Sequence, residues 1–290
     1  MTRMLHDATG IVAATQQFAQ ALGKGMTADM AWFYGLSGGY GLIALVATVQ
    51  LVRIQLRVPE YGWTTQKVFH LLNFSFCAMR CAVFALREQV DDLPWHSLQT
   101  VLLDLPGLIF FSTYTLLVLF WAEIYHQARS LPTSRLRPAF FVGNALAYGM
   151  QIALWIYMAI ESKTEPLSTC RIVSGIFMAA VSIIAALGFI VYGGRVFMML
   201  YRFPIESRGR RRKLVEVGCV TAICATCFVV RAVMVAYTSY NDKQSRTIDV
   251  LSHPLLNVVY YTCVEILPSA LVLYILRKLP PRRTDGYASI

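Results

Sequence analysis

Seven long, nearly charge-free stretches leave this chain few ways to fold. They cover about residues 32–52, 68–87, 98–125, 139–160, 170–200, 214–238 and 254–276. A bilayer core about 30 Å thick needs about 20 apolar residues in a helix, and each stretch meets that length. Inside lipid every backbone N–H and C=O must find a partner within the protein, which leaves helices or closed barrels. No stretch alternates apolar and polar residues as a barrel strand would, so the spans are predicted to be helices. The two longest fit by tilting or by extending beyond the bilayer. Only 14% of the 290 residues are charged, against about 25% in an ordinary soluble domain. The sequence therefore predicts an all-α membrane protein with seven transmembrane helices. Residues 1–31 form an N-terminal segment, 32–276 the membrane domain and 277–290 a tail. The first apolar core starts too late for a cleavable signal peptide. In the N-terminal segment, Ile11, Ala14, Phe18 and Leu22 form only a sparse helical stripe.

The net charge of +10 is distributed unevenly. The loops after the first, third and fifth spans, with the tail, hold sixteen basic residues. These are Arg53, Arg57 and Lys67; Arg129, Arg135 and Arg137; Arg202, Arg208, Arg210, Arg211, Arg212 and Lys213; and Arg277, Lys278, Arg282 and Arg283. The opposite side holds five: Arg3, Lys24, Lys163, Lys243 and Arg246. By the positive-inside bias, the N-terminus is expected to be lumenal and the C-terminus cytosolic. Trp32, Trp95, Trp121 and Tyr201 lie near predicted span ends, where amphipathic rings settle. The densest basic run, "YRFPIESRGRRRK", reads first as a topology determinant in a cytosolic loop. Such a cluster also suits docking to anionic membrane lipid or to a protein partner.

Ionisable residues inside a span are costly and face a partner or a cavity. Four stand out: Arg80, Asp104, Arg231 and Glu265. Residues 88–97 form a short connection between the second and third spans, so Arg80 is expected to pair with Asp104. Arg231 and Glu265, on the sixth and seventh spans, form the second expected buried ion pair. Two meanings stay open, a helix–helix register device and a polar cavity for a ligand, proton or ion. Pro106 and Pro268 would kink the third and seventh spans close to these charges. Gly35 and Gly39 have the small-xxx-small spacing of close helix packing. Cys224 and Cys227 have C-x-x-C spacing in mid-span, where packing is the expected role. Glu123, His126 and His70 are placed near the interface, where water can solvate them. Asn73-Phe74-Ser75 has the glycosylation pattern but lies inside the second span.

No catalytic constellation emerges. His70 and His126 sit at one edge of the membrane, His96 and His253 at the other, and no Cys/His cluster has metal-ligand spacing. There is no phosphate loop and no nucleophile elbow. The expectation is a non-enzyme without metal or cofactor. A receptor fits the span count, but the third span ends in "EIYHQARS" and the seventh carries "EILPSA", neither a rhodopsin-like signature. No internal repeat supports an inverted-repeat transporter.

Four longer strings carry a family likeness: "QLRVPEYGWTTQKVFHLLNF", "DLPGLIFFSTYTLLVLFWAEIYHQARSLP", "RFPIESRGRRRKLVEVG" and "EILPSALVLYILRKLPPRR". Over about residues 32–283 the chain resembles the plant tobamovirus multiplication protein family. The resemblance implies a multi-pass protein of the vacuolar membrane that serves as a viral host factor. It implies binding to the helicase region of a tobamovirus replication protein, with a small Arf-like GTPase joining the complex. Homo- or hetero-oligomers with family members are a further implied association. On this reading Arg57, Trp63, Arg208, Arg210, Arg211 and Arg212 contribute to a cytosolic docking face, since arginine and tryptophan are favoured anchors. RNA would be held by the viral partner, with no direct nucleic-acid contact. The alternative is a divergent seven-span receptor or membrane-trafficking regulator.

Overall fold

The computed structural model describes residues 28–57, 64–91, 93, 96–160, 167–202, 208–240 and 254–277. Among these residues all regular structure is helical. The elements are α1 (Ala28–Arg57), α2 (Thr65–Ala85), α3 (Arg87–Asp91), α4 (His96–Ala128), α5 (Leu136–Ile160), α6 (Leu167–Gly188), α7 (Gly194–Arg202), α8 (Arg208–Tyr240), α9 (Pro254–Tyr261) and α10 (Leu267–Leu276). A π-helical turn, Phe189–Gly193, joins α6 to α7 without a break, and another, Thr262–Ile266, joins α9 to α10. Seven helices are long and apolar enough to cross a membrane: Ala31–Arg57, Thr65–Ala85, Leu98–Ala128, Leu136–Ile160, Ile172–Arg202, Leu214–Tyr240 and Leu255–Leu276. Each apolar stretch of the sequence supplies one of them. The sparse N-terminal stripe, Trp63 and Trp95 lie outside the described residues.

Helix ends follow local chemistry. Thr64 caps α2, its hydroxyl accepting from the Lys67 amide at 3.3 Å, which satisfies one of the orphan donors of a first turn. At the end of α4 the chain turns through Ser130, at φ 53°. There the Leu131 amide donates back to the His126 carbonyl at 2.8 Å. This is the closure that usually puts glycine in the left-handed position, and Pro132 then prevents the helix from resuming.

The first span packs along the second, the second on the third, and the fifth on the sixth. The fourth is peripheral. It buries Ala147, Gln151 and Met158, while Phe141, Leu146 and Ile160 stand out of the bundle. In lipid such apolar exposure costs nothing, because hydrocarbon is as apolar as the side chains. The interior is a chain of aromatic contacts. Phe110 lies 4.9 Å from Phe76, 4.5 Å from Tyr114 and 5.3 Å from Phe228. Trp121, expected at the interface, is instead buried and meets Phe189 edge-on at 5.5 Å. The cause is Gly193, at the end of the first π turn. A Cβ there would collide with Thr221 and lie 2.6 Å from the Trp121 ring, so glycine lets that indole inside.

Candidate functional site: a buried arginine–glutamate cluster

A π turn inserts one extra residue into a helix and shifts the facing of the residues that follow. In the seventh span that turn carries Glu265, which is fully buried. Pro268 follows within the next turn and supplies no N–H to the helix ladder. The inward-facing carboxylate collects four donors. Arg80 binds it in the bidentate mode, Nε to Oε2 at 3.0 Å and Nη2 to Oε1 at 2.8 Å. Arg231 Nη1 donates to Oε1 at 2.5 Å, and the Tyr40 hydroxyl donates to Oε2 at 2.6 Å. The guanidinium faces are covered as well, Arg80 by the Tyr261 ring at 5.2 Å and Arg231 by the Phe110 ring at 5.3 Å.

The third span touches this cluster through Gly107. A Cβ on Gly107 would lie 2.5 Å from Arg231 Nη2, so only a bare backbone lets Arg231 extend over Pro106-Gly107 to reach Glu265. The arginine's length and a glycine gap together let Arg231 reach Glu265. One node thereby joins the first, second, third, sixth and seventh spans. Two arginines and one glutamate leave a formal excess of one positive charge, and Asp104, one turn before Gly107, brings the group of four to neutrality.

The sequence-based partner for Arg80 needs correction: the carboxylate facing it is Glu265, not Asp104. Asp104 accepts instead from Gln151 Nε2 and Trp155 Nε1, both at 3.2 Å. Nearness in the chain suggested Asp104, whereas the seventh span, remote in sequence, lies against the first and second. Gln151 also reaches Ser174 Oγ at 2.8 Å, so this second polar node ties the third span to the fourth and fifth. Its signal was present in the sequence, because Gln151 and Trp155 are one turn apart on a single helix face. Tyr40 had no such signal, being one tyrosine among fifteen.

His70, expected near water at the membrane edge, is fully buried in the second span, as is Asn73. Glu123 is where the sequence placed it, in a 2.8 Å ion pair with the exposed Arg137. Gly39 approaches the seventh span, where its Cβ would lie 3.3 Å from Ile266 Cδ1, while Gly35 faces open space.

At the other end of the bundle, Arg57 is exposed on the last turn of α1. The run Arg208–Lys213, expected as a loop, is helical in its backbone: α8 begins at Arg208, ahead of the span that starts at Leu214. The side chains of Arg208, Arg210, Arg211 and Arg212 lie outside the described set. Gln66 Nε2 donates to the Leu276 carbonyl at 2.9 Å and joins the start of the second span to the end of the seventh.

Seven membrane-spanning helices, tied through their interior by two polar nodes, define a multi-pass integral membrane protein. The chain belongs to the THH1/TOM1/TOM3 family, whose domain matches residues 15–289. It is 59% identical over 254 residues to Tobamovirus multiplication protein 1 of Arabidopsis thaliana, covering 88% of this chain and 85% of that one. It is 57% identical to Tobamovirus multiplication protein 1 of Nicotiana tabacum, covering 88% and 86%. To Tobamovirus multiplication protein 3 of Arabidopsis thaliana it is 56% identical over 251 residues, covering 87% and 81%. No solved structure matches the chain.

Proposed function

We propose that this protein is a host factor that anchors tobamovirus replication proteins to the vacuolar membrane and so supports assembly of the viral RNA replication complex. The observation that carries this reading is identity of more than half the residues, across nearly nine-tenths of the chain, with proteins named for tobamovirus multiplication. An anchor needs a firm membrane body and a recognisable face in the cytosol. The two buried polar nodes supply the first. For the second, the sixteen-to-five asymmetry of basic residues supports a lumenal N-terminus and a cytosolic C-terminus. Arg57, Trp63, Arg208, Arg210, Arg211 and Arg212 then stand on the cytosolic side and form the docking face. The partners are the helicase region of the replication protein and a small Arf-like GTPase, with anionic lipid beneath the basic run. The protein carries out no chemistry in this role and holds no RNA itself.

The test is co-purification of a tobamovirus replication protein with this chain from plant membranes. Wild type is compared with a variant in which Arg208, Arg210, Arg211 and Arg212 are Gln, with insertion checked by protease protection. Capture by wild type alone supports the docking face. Equal capture by both refutes the arginines' role, and capture by neither refutes the anchoring role.

The buried cluster favours a second reading, a seven-span receptor or trafficking regulator, because intramembrane ionisable groups mark functional sites in many membrane proteins. Neutralising Glu265 separates the two. Loss of folding fits the anchor, and a folded protein with altered cellular output fits the regulator.

A further inference from the structure

The second span carries more polar residues on its inner face than the arginine cluster uses. His70, Asn73, Cys77 and Arg80 recur at helical spacing, so they lie on one face of α2. His70, Asn73 and Cys77 are fully buried, and Arg80 is nearly so. Arg80 is paired, and Cys77 donates its thiol hydrogen to Asn73 Oδ1 at 3.4 Å. The remaining atoms are unmatched: both ring nitrogens of His70 and Asn73 Nδ2 have no hydrogen-bond partner among the described residues.

A further unmatched atom falls at the same level of the bundle. The Ser37 hydroxyl donates to the Cys81 carbonyl at 3.0 Å, and Gly41 faces the Cys81 sulfur, which sets an antiparallel register between the first and second spans. Eleven residues along each helix from that contact, His70 falls level with residues 48–52. Gln50 lies in that interval, and its buried Oε1 is also without a partner.

We propose that His70, Asn73 and Gln50 hold internal water between the first and second spans, at the tail-side end of a hydrated polar seam that runs inward to Glu265. Unpaired buried donors and acceptors are rare in folded proteins because each has lost water without replacement, and ordered water is their usual partner. The chemistry of the set selects the ligand. A neutral imidazole offers one donor and one acceptor, Asn73 Nδ2 offers two donors, and Gln50 Oε1 is an acceptor. A hard cation needs several oxygen ligands, and Asn73 Oδ1 already accepts from Cys77. The nearest buried charge, Lys67, lies one helical turn before His70 and has partners of its own. A neutral molecule that donates and accepts at once matches the set, and water is the smallest.

The seam continues inward from there. Ser269, fully buried, lies 3.3 Å from the Tyr114 hydroxyl and one helical turn from Glu265. His70 and Arg80 are ten residues apart, about 15 Å along the helix axis. On the tail side, Phe69 meets the His70 ring edge-on at 5.8 Å and also lines a cavity of about 240 Å³ bounded by Gln66, Leu117 and Leu276. This inference does not depend on the viral reading.

Pulsed hydroxyl-radical footprinting of the full-length protein in nanodiscs tests it, because radicals form from water already in place. After scaling for intrinsic reactivity, His70 and Cys77 should be oxidised several-fold faster than Met158, which is buried on the fourth span away from the seam. Equal protection of all three would overturn the proposal. Asn73→Leu gives an independent readout. If the site holds water, the substitution lowers the melting temperature and slows His70 labelling. If the site is dry, removing an unpaired amide raises the melting temperature, which would also overturn it. Should Asn73→Leu not fold, the wild-type footprint decides alone.

Discussion

Glu265→Gln removes the one acceptor that two buried arginines share while keeping the volume of the side chain, so the loss is electrostatic rather than steric. Three guanidinium contacts, at 3.0, 2.8 and 2.5 Å, and the tyrosine contact at 2.6 Å converge on two oxygens. The amide offers one oxygen and turns an NH₂ group toward donors that have no other acceptor in the cluster. Removing one partner of a buried ion pair costs about 3–5 kcal/mol, because the charge left behind has no water to return to. We predict a loss in that range, measured as unfolding free energy by detergent titration or steric trapping of the purified protein. Glu123→Gln is the internal reference. It breaks an ion pair of the same length whose arginine is 67% exposed, and exposed pairs are worth about 0–1 kcal/mol. The triple change Arg80→Met, Arg231→Met and Glu265→Met should recover much of the loss, since a well-packed apolar replacement of a buried ionic group is often neutral or stabilising. A Glu265→Gln protein within about 1 kcal/mol of wild type would refute the reasoning, because the carboxylate would then not be what holds the arginines.

Other changes probe single contacts. Tyr40→Phe deletes one hydrogen bond to a charged group and should cost about 1.5–3 kcal/mol in the same unfolding assay. Gly107→Ala places a methyl group 2.5 Å from Arg231 Nη2; overpacking of this kind costs about 1–3 kcal/mol, whereas Gly143→Ala, facing open space inside a helix, should gain up to about 1 kcal/mol. Ser130→Gly relieves a left-handed residue and should gain up to about 1 kcal/mol, read as a higher melting temperature.

The architecture was legible because the bilayer demands it: seven apolar stretches of sufficient length can only be seven helices, and each is present. The site was legible in part. Arg80, Asp104, Arg231 and Glu265 stood out as costly charges in apolar context, and Arg231 does meet Glu265. The pairing of Arg80 was not readable, since it depends on which spans touch. One π turn decides which way Glu265 faces, Gly193 at the end of the other admits the Trp121 ring, and neither turn has a strong sequence signal. His70 was misplaced for a related reason. Its position near a span end says nothing of which side it presents, and that side is the bundle interior. The basic run at Arg208 was visible as charge but not as helix.

Anchoring of replication proteins by this chain, as proposed, has a direct consequence for viral multiplication in plant cells. The most direct measurement is tobamovirus RNA accumulation in plant cells lacking their own family members, with and without this protein restored. The anchor predicts that viral RNA rises on restoration, and that replication protein floats with the membrane fraction in proportion. Viral RNA unchanged by this protein, in cells where Tobamovirus multiplication protein 1 of Arabidopsis thaliana restores it, would contradict the claim.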